Sequence, residues 1–138
     1  MIRLTRRYRF SGLHRLQAPH VSEEENRALY GKCANPHGHG HDYVLEVSVR
    51  GPVDPAFGRA ADTRALDELV ARQVVTVFDH QNLNAALAAV PTTENLALDI
   101  RRRLLNCWDT VFPGGWPKLD RVRLGETPRN VIEIVERI

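Results

Sequence analysis

Cysteine is scarce in this chain: only Cys33 and Cys107 occur in 138 residues. Two thiols cannot build a disulfide framework. Both therefore read as free, and a reducing cytoplasm is the expected compartment. Long apolar runs are missing as well. No stretch approaches the roughly 20 residues that span a bilayer, and the opening MIRLTRRYRF carries arginines where a signal peptide needs a continuous apolar core. No membrane partner is expected. A strong charge of either sign is also absent. The net charge of +2 asks for no nucleic-acid partner. The longest basic run, Arg101 to Arg103, reads as a solvated helix face. Low-complexity segments and internal boundaries are lacking too, so residues 1–138 read as a single domain.

The elements that are present follow from periodicity. Ile2, Leu4, Tyr8 and Phe10 alternate with Arg3, Arg7 and Arg9, the pattern of a half-buried strand, although Arg6 falls on the apolar side. In YVLEVSVR, Leu45, Val47 and Val49 oppose Glu46, Ser48 and Arg50, and Gly51, Pro52, Asp54 and Pro55 end the run. Leu66, Leu69, Val70, Val74 and Val77 form a helical stripe behind Asp62 as N-cap. A second helix is expected from about Glu94 to Trp108, capped by Thr92 or Thr93. Two strands follow, from Leu119 and from Asn130. The order β-β-α-α-β-β predicts an α+β fold: a four-stranded antiparallel sheet with two helices on one face. Its other face and its edges need cover, which oligomerisation supplies. Residues 11–42 form an insertion too long for an ordinary hairpin loop, and long loops in compact domains usually carry function.

The histidines crowd that insertion. The stretch GKCANPHGHGHDY holds His37, His39 and His41 behind Cys33, and His14, His20 and His80 complete the six. In extended chain, residues two apart point the same way. His39 and His41 then face one ion, and antiparallel pairing of the first two strands brings His14 beside them. Three imidazoles with an open fourth position form a catalytic zinc arrangement. By the same alternation His37 is an alternative third ligand, and a plain polar turn is the bland alternative. Cys33 is open between ligand, buried hydrophobe and reactive thiol. Cys107 lies on the apolar stripe of its helix and reads as core. Asp79-His80 is either a carboxylate-supported proton shuttle or a helix C-terminus favoured by the dipole. Glu126 is either an exposed loop charge or a ligand anchor.

Taken in order, FSGLHRL, GKCANPHGHGHDY, FDHQNL, PTTEN and GET closely resemble the 6-pyruvoyl-tetrahydropterin synthase family, which includes the bacterial 6-carboxy-tetrahydropterin synthases of the deazapurine (queuosine) pathway. The resemblance covers about Tyr8 to Asn130. It implies a zinc-dependent carbon–oxygen lyase, with Zn2+ held by His14, His39 and His41, which demotes His37. Cys33 would be the general base, and Asp79 and His80 the partner pair in the proton relay. Glu126 would anchor a pterin ring, with Thr92, Thr93 and the backbone near Glu94 beside it. The implied fold is the tunnelling fold (T-fold), whose sheets close a barrel around a threefold axis. Two trimers stack into a homo-hexamer with active sites between subunits.

The implied substrate is 7,8-dihydroneopterin triphosphate. The products would be 6-pyruvoyl-tetrahydropterin, on the route to tetrahydrobiopterin, and triphosphate. Ala34 to Gly38 separate Cys33 from His39, the longer spacing of the pyruvoyl type, with its Asn35-Pro36 pair. Two rivals stand beside this expectation. One is the sister enzyme, which releases acetaldehyde and leaves a 6-carboxy product. The other is a structural zinc module with Cys33 as fourth ligand. Some positions depart from the family pattern. Gly12-Leu13 precede the first histidine where small residues are usual. Ala60-Ala61 replace larger apolar residues, and IEIVERI lacks the frequent closing glycine and glutamate. None of these removes a proposed catalytic group.

Overall fold

The structure is a computed structural model that describes residues 1–35 and 38–137. Along the chain come β1 (Ile2–His14), α1 (Glu23–Tyr30), a 3-10 turn (Gly31–Ala34) and β2 (His39–Gly51). Next are α2 (Thr63–Val70), a π-helical turn (Ala71–Val75), α3 (Thr76–Phe78), β3 (Gln81–Asn82) and α4 (Leu83–Ala86). The chain finishes with α5 (Thr93–Val111), β4 (Lys118–Thr127) and β5 (Asn130–Val135). The five strands make one sheet in the order β3-β1-β2-β4-β5. Antiparallel pairs join β1 to β2, β2 to β4 and β4 to β5. The expected α+β order holds, but the sheet is mixed rather than four-stranded and antiparallel. Leaving α3, the chain runs for two residues parallel to β1, pairing Gly12 with Gln81 and Leu13 with Asn82.

The inner face of the sheet is the one packed on α2 and α5. Tyr43, Leu45, Val47 and Val49 are each fully buried there, and Phe10 stacks on Tyr43 with ring centroids 5.1 Å apart. Leu66, Leu69, Val70 and Val74 face them from α2 and its continuation, and Leu96, Ile100 and Leu104 from α5. Burying such side chains contributes about 1.5–3 kcal/mol each. Both helices start as the sequence indicates. The Asp62 carboxylate accepts from the N–H of Arg64 and Ala65, and Thr92 Oγ1 accepts from Asn95 N–H. Cys107 packs against the core, half-buried, in line with its stripe.

One reading about arginines holds and one needs correction. Arg6 lies on the inner side of β1 without breaking the strand, because Asp67 of α2 takes both its Nε (3.1 Å) and Nη2 (2.6 Å) and also accepts from Tyr8 OH (2.7 Å). The Arg101–Arg103 run is not a free solvated face. Arg101 pairs with Glu136, Arg102 and Arg103 pair with Asp99, and the Arg103 guanidinium lies 5.2 Å from the Phe78 ring centroid.

The insertion is shorter than expected. β1 continues to His14 and β2 starts at His39, so His14 and His39 are register partners rather than loop residues. Gly12 makes the continuation possible, since a Cβ there would lie 3.0 Å from Leu83 of α4. The remaining connection is folded rather than loose. Ser22 caps α1 by accepting from Glu25 N–H, and buried Asn26 bonds both Ala18 N–H (2.7 Å) and Ala18 C=O (3.3 Å).

Candidate metal centre

The strand register that builds the core also builds the site. His39, His41 and Tyr43 share one side of β2, and His14 follows Phe10 and Gly12 along the matching side of β1. At the open end of the sheet the imidazoles therefore take over from the apolar side chains. His14 is fully buried, and its Nε2 lies 3.0 Å from His41 Nε2. The His39 ring stands edge-on to that of His41, with centroids 4.5 Å apart.

Cys33 enters from the 3-10 turn. Leu16 N–H donates to the Cys33 carbonyl (2.6 Å) and Arg15 Nε to the Ala34 carbonyl (3.2 Å), so the turn is tied to the chain just beyond β1. Its Sγ lies 3.9 Å from His41 Nε2. His14, Cys33 and His41 each offer one donor atom, all within 4.8 Å of one another, a spacing that one metal ion bridges. His39 stands beside this group, and His37 lies outside the described residues.

Glu126 approaches from β4. Its Oε1 is 3.5 Å from His41 Nε2, and its Oε2 accepts from Thr93 Oγ1 at 2.5 Å. Thr93 is buried at the start of α5, whereas Thr92 serves the helix cap and Glu94 is exposed. Asp79 and His80 are both tied to Ser11 of β1. Asp79 Oδ1 accepts from Ser11 N–H (2.9 Å), and His80 N–H donates to the Ser11 carbonyl (2.7 Å) at the edge of β1. The His80 ring is 81% exposed, and its Nε2 lies 3.7 Å from Asp79 Oδ2. Its backbone is left-handed, φ 57°, an uncommon conformation for a residue other than glycine. Among the described residues no hydrogen bond or ion pair joins this pair to Cys33 or to His14, His39 and His41.

The donor chemistry fits a metal. His14 Nδ1 is 3.0 Å from the Pro91 carbonyl, which can only accept, so Nδ1 carries the proton and Nε2 presents a bare lone pair. Burial holds the imidazoles of His14 and His41 below the ordinary histidine range, despite the opposing pull of Glu126. Neutral imidazole is the ligating form. Burial pushes the Cys33 thiol up, and Glu126 adds to this, while Lys32 pulls the other way. Nitrogen and sulfur donors of this kind suit a borderline divalent transition metal.

Sequence reasoning missed several supporting residues. Ser22-x-x-Glu25 is a capping-box signal that marks α1. Asn84 of α4 clamps Arg15 by accepting from its N–H (2.7 Å) and donating to its carbonyl (2.8 Å). Asn95 Nδ2 donates to the Val90 carbonyl (2.8 Å) beside Pro91. No local signal marks the last two, because their partners are remote or lie in irregular chain.

Fold and site together define an α+β protein with a group of side chains that could hold a metal ion at the open end of its sheet. The comparisons narrow this class. The family model described as 6-pyruvoyl tetrahydropterin synthase matches residues 3–137. The 6-pyruvoyl tetrahydrobiopterin synthase of Drosophila melanogaster is 41% identical over 135 residues, 94% of this chain and 76% of the relative. The Homo sapiens enzyme of that name is 38% identical over 136 residues, covering 94% and 88%. The solved Caenorhabditis elegans 6-pyruvoyl tetrahydropterin synthase superposes with a TM-score of 0.85 at 33% identity, over 99% of this chain and 96% of that one. The chain belongs to the 6-pyruvoyl tetrahydropterin synthase family.

Proposed function

We propose that this chain is a zinc-dependent lyase that converts 7,8-dihydroneopterin triphosphate into 6-pyruvoyl-tetrahydropterin and triphosphate. The observation that carries the reading is the convergence, in a member of this family, of Cys33, Glu126 and a metal-donor group on one buried point. In this reading His14, His39 and His41 hold the metal. Cys33 stands beside it as a base rather than a ligand. Bound zinc supplies Lewis acidity toward the hydroxyls of the substrate side chain.

The side chains have separate tasks. Glu126 offers paired oxygens to the guanidine-like edge of the pterin, and Thr93 holds the carboxylate in place through its hydroxyl. Thr92 and the backbone near Glu94 flank the ring. Cys33 removes a proton from the substrate side chain, and the electron pair of that bond passes to the ring. Protons return through His80, whose ring lies 3.7 Å from the Asp79 carboxylate. The triphosphate leaves with the electron pair of its C–O bond. The ring is reduced at the expense of the side chain, so no nicotinamide enters.

The exposed His80 ring makes no hydrogen bond or ion pair with Cys33 among the described residues, which favours a site shared between neighbouring subunits. β3 covers only Gly12 and Leu13 along the outer edge of β1, and β5 leaves its far edge unpaired at the other side of the sheet. Pairing of these edges closes a ring of subunits, and a homo-hexamer of two trimers is the assembly proposed. A cytoplasmic setting, which keeps Cys33 reduced, goes with this chemistry.

The reading is tested by anaerobic incubation of the zinc-loaded protein with 7,8-dihydroneopterin triphosphate, with mass spectrometry of the pterin and a parallel acetaldehyde assay. The expected product is 6-pyruvoyl-tetrahydropterin without acetaldehyde. Stoichiometric acetaldehyde with a 6-carboxy product would assign the sister reaction instead. No conversion at all would leave the structural zinc module.

A further inference from the structure

We infer that Asn95 is a positioning residue for the metal centre: through the Val90–Pro91 turn it fixes which ring nitrogen of His14 faces the metal. The inference rests on His14 being a ligand, as proposed above. The turn lies between α4 and α5, where no regular ladder holds it, yet its two carbonyls meet three defined donors. Val90 C=O accepts from Asn95 Nδ2 at 2.8 Å and from Thr92 N–H at 2.8 Å. Pro91 C=O, one residue on, accepts from His14 Nδ1 at 3.0 Å. Asn95 is itself held, since its N–H donates to Thr92 Oγ1 at 3.1 Å on the first turn of α5. A rigid helix end therefore grips one carbonyl of the turn, and the adjacent carbonyl orients a buried imidazole.

The consequence is chemical rather than merely structural. His14 is fully buried, so water cannot replace a misplaced Pro91 carbonyl. With that carbonyl in place, Nδ1 keeps its proton and Nε2 is bare, 3.0 Å from His41 Nε2. Should the turn shift, the other partner that Nδ1 has among the described residues is Tyr43 OH at 3.5 Å, which can donate as well as accept. A donated hydroxyl proton favours the opposite tautomer, with Nε2 protonated and closed to a metal. Asparagine suits the task because its amide donates to a carbonyl. A carboxylate in its place has no proton to give and faces the Val90 oxygen with like charge.

The test compares the parent protein with Asn95→Asp and Asn95→Ala. Histidine labelled with 15N reports the tautomer of His14 in the zinc-free protein, and competition titration with a chelator reports zinc affinity. The expected result is a single Nδ1–H form in the parent. Both variants should give a mixed or inverted tautomer signal and zinc binding weakened about 10- to 100-fold, the usual effect of losing an outer-shell partner. Asn95→Ala adds no charge, so a folding failure of the Asp form does not decide the matter. Asp62→Ala removes a helix cap remote from the turn; it should lower the melting temperature and leave the tautomer unchanged. An unaltered Nδ1–H signal with unaltered zinc affinity in Asn95→Ala would overturn the inference, as would an equal tautomer shift in Asp62→Ala. Because the tautomer is read without substrate, failure to form the pyruvoyl product would strike the functional reading alone.

Discussion

One side of β2 carries two kinds of chemistry. From Tyr43 to Val49 every second side chain is fully buried and packs on α2 and α5. At His39 and His41 the same alternation continues, but the side chains are imidazoles at the open end of the sheet. The apolar half is held by many interchangeable contacts. The polar half depends on a few groups: the Pro91 carbonyl, Glu126, and a 3-10 turn tied by Leu16 and Arg15. A strand thus extends the rigidity of a core into a polar site. The two halves should fail in different ways when altered.

The largest effect should come from the polar half. His41→Ala and His39→Ala are each expected to lose stoichiometric zinc and turnover while the fold persists, read by elemental analysis beside circular dichroism. Retained zinc in either variant would remove that histidine from the ligand set. In the apolar half, Leu45→Ala should cost about 2–5 kcal/mol of stability, as buried leucine truncations do. Denaturant unfolding should show that loss while the zinc-loaded variant keeps its metal at low temperature. Asn26→Ala lies between the two regimes. It strands the buried Ala18 N–H and should cost about 1–3 kcal/mol. The connection that carries Cys33 should then become more open to protease than the helices are.

The smallest effect is a pH dependence confined to the polar half. In metal-free protein His14 and His41 titrate below their ordinary value of 6.5 because they are buried. The unfolded chain therefore takes up protons that the folded chain refuses. Stability is full above about pH 6.5 and falls as pH drops toward the folded values, by at most about 1.4 kcal/mol per unit for each group. Unfolding curves in chelator between pH 7.5 and 5 check this, and His41→Ala should flatten the slope.

Much of this contrast was legible in the residues themselves. Period-two alternation marked β1 and β2, Asp62 and the Thr92-Thr93 pair marked two helix starts, and H-x-H marked the imidazole end of β2. Other features escaped for physical reasons. The last turn of β1 is hidden because Ser11-Gly12-Leu13 has no alternation. Gly12 is there to admit Leu83, a contact between residues far apart in sequence. β3 is two residues long and carries no pattern of its own. The exposure of His80 at the edge of β1 is a fact of three-dimensional placement that FDHQNL does not carry.

The central claim is that Cys33 acts beside the metal and does not hold it, even though its sulfur lies within the compact donor group. Zinc content and turnover of Cys33→Ala, measured on the same purified sample, test this most directly. The account predicts zinc retained at the parent stoichiometry, with turnover reduced about 100- to 10,000-fold, the usual contribution of a positioned acid or base. Loss of zinc from that variant, or near-normal turnover with zinc in place, would contradict it.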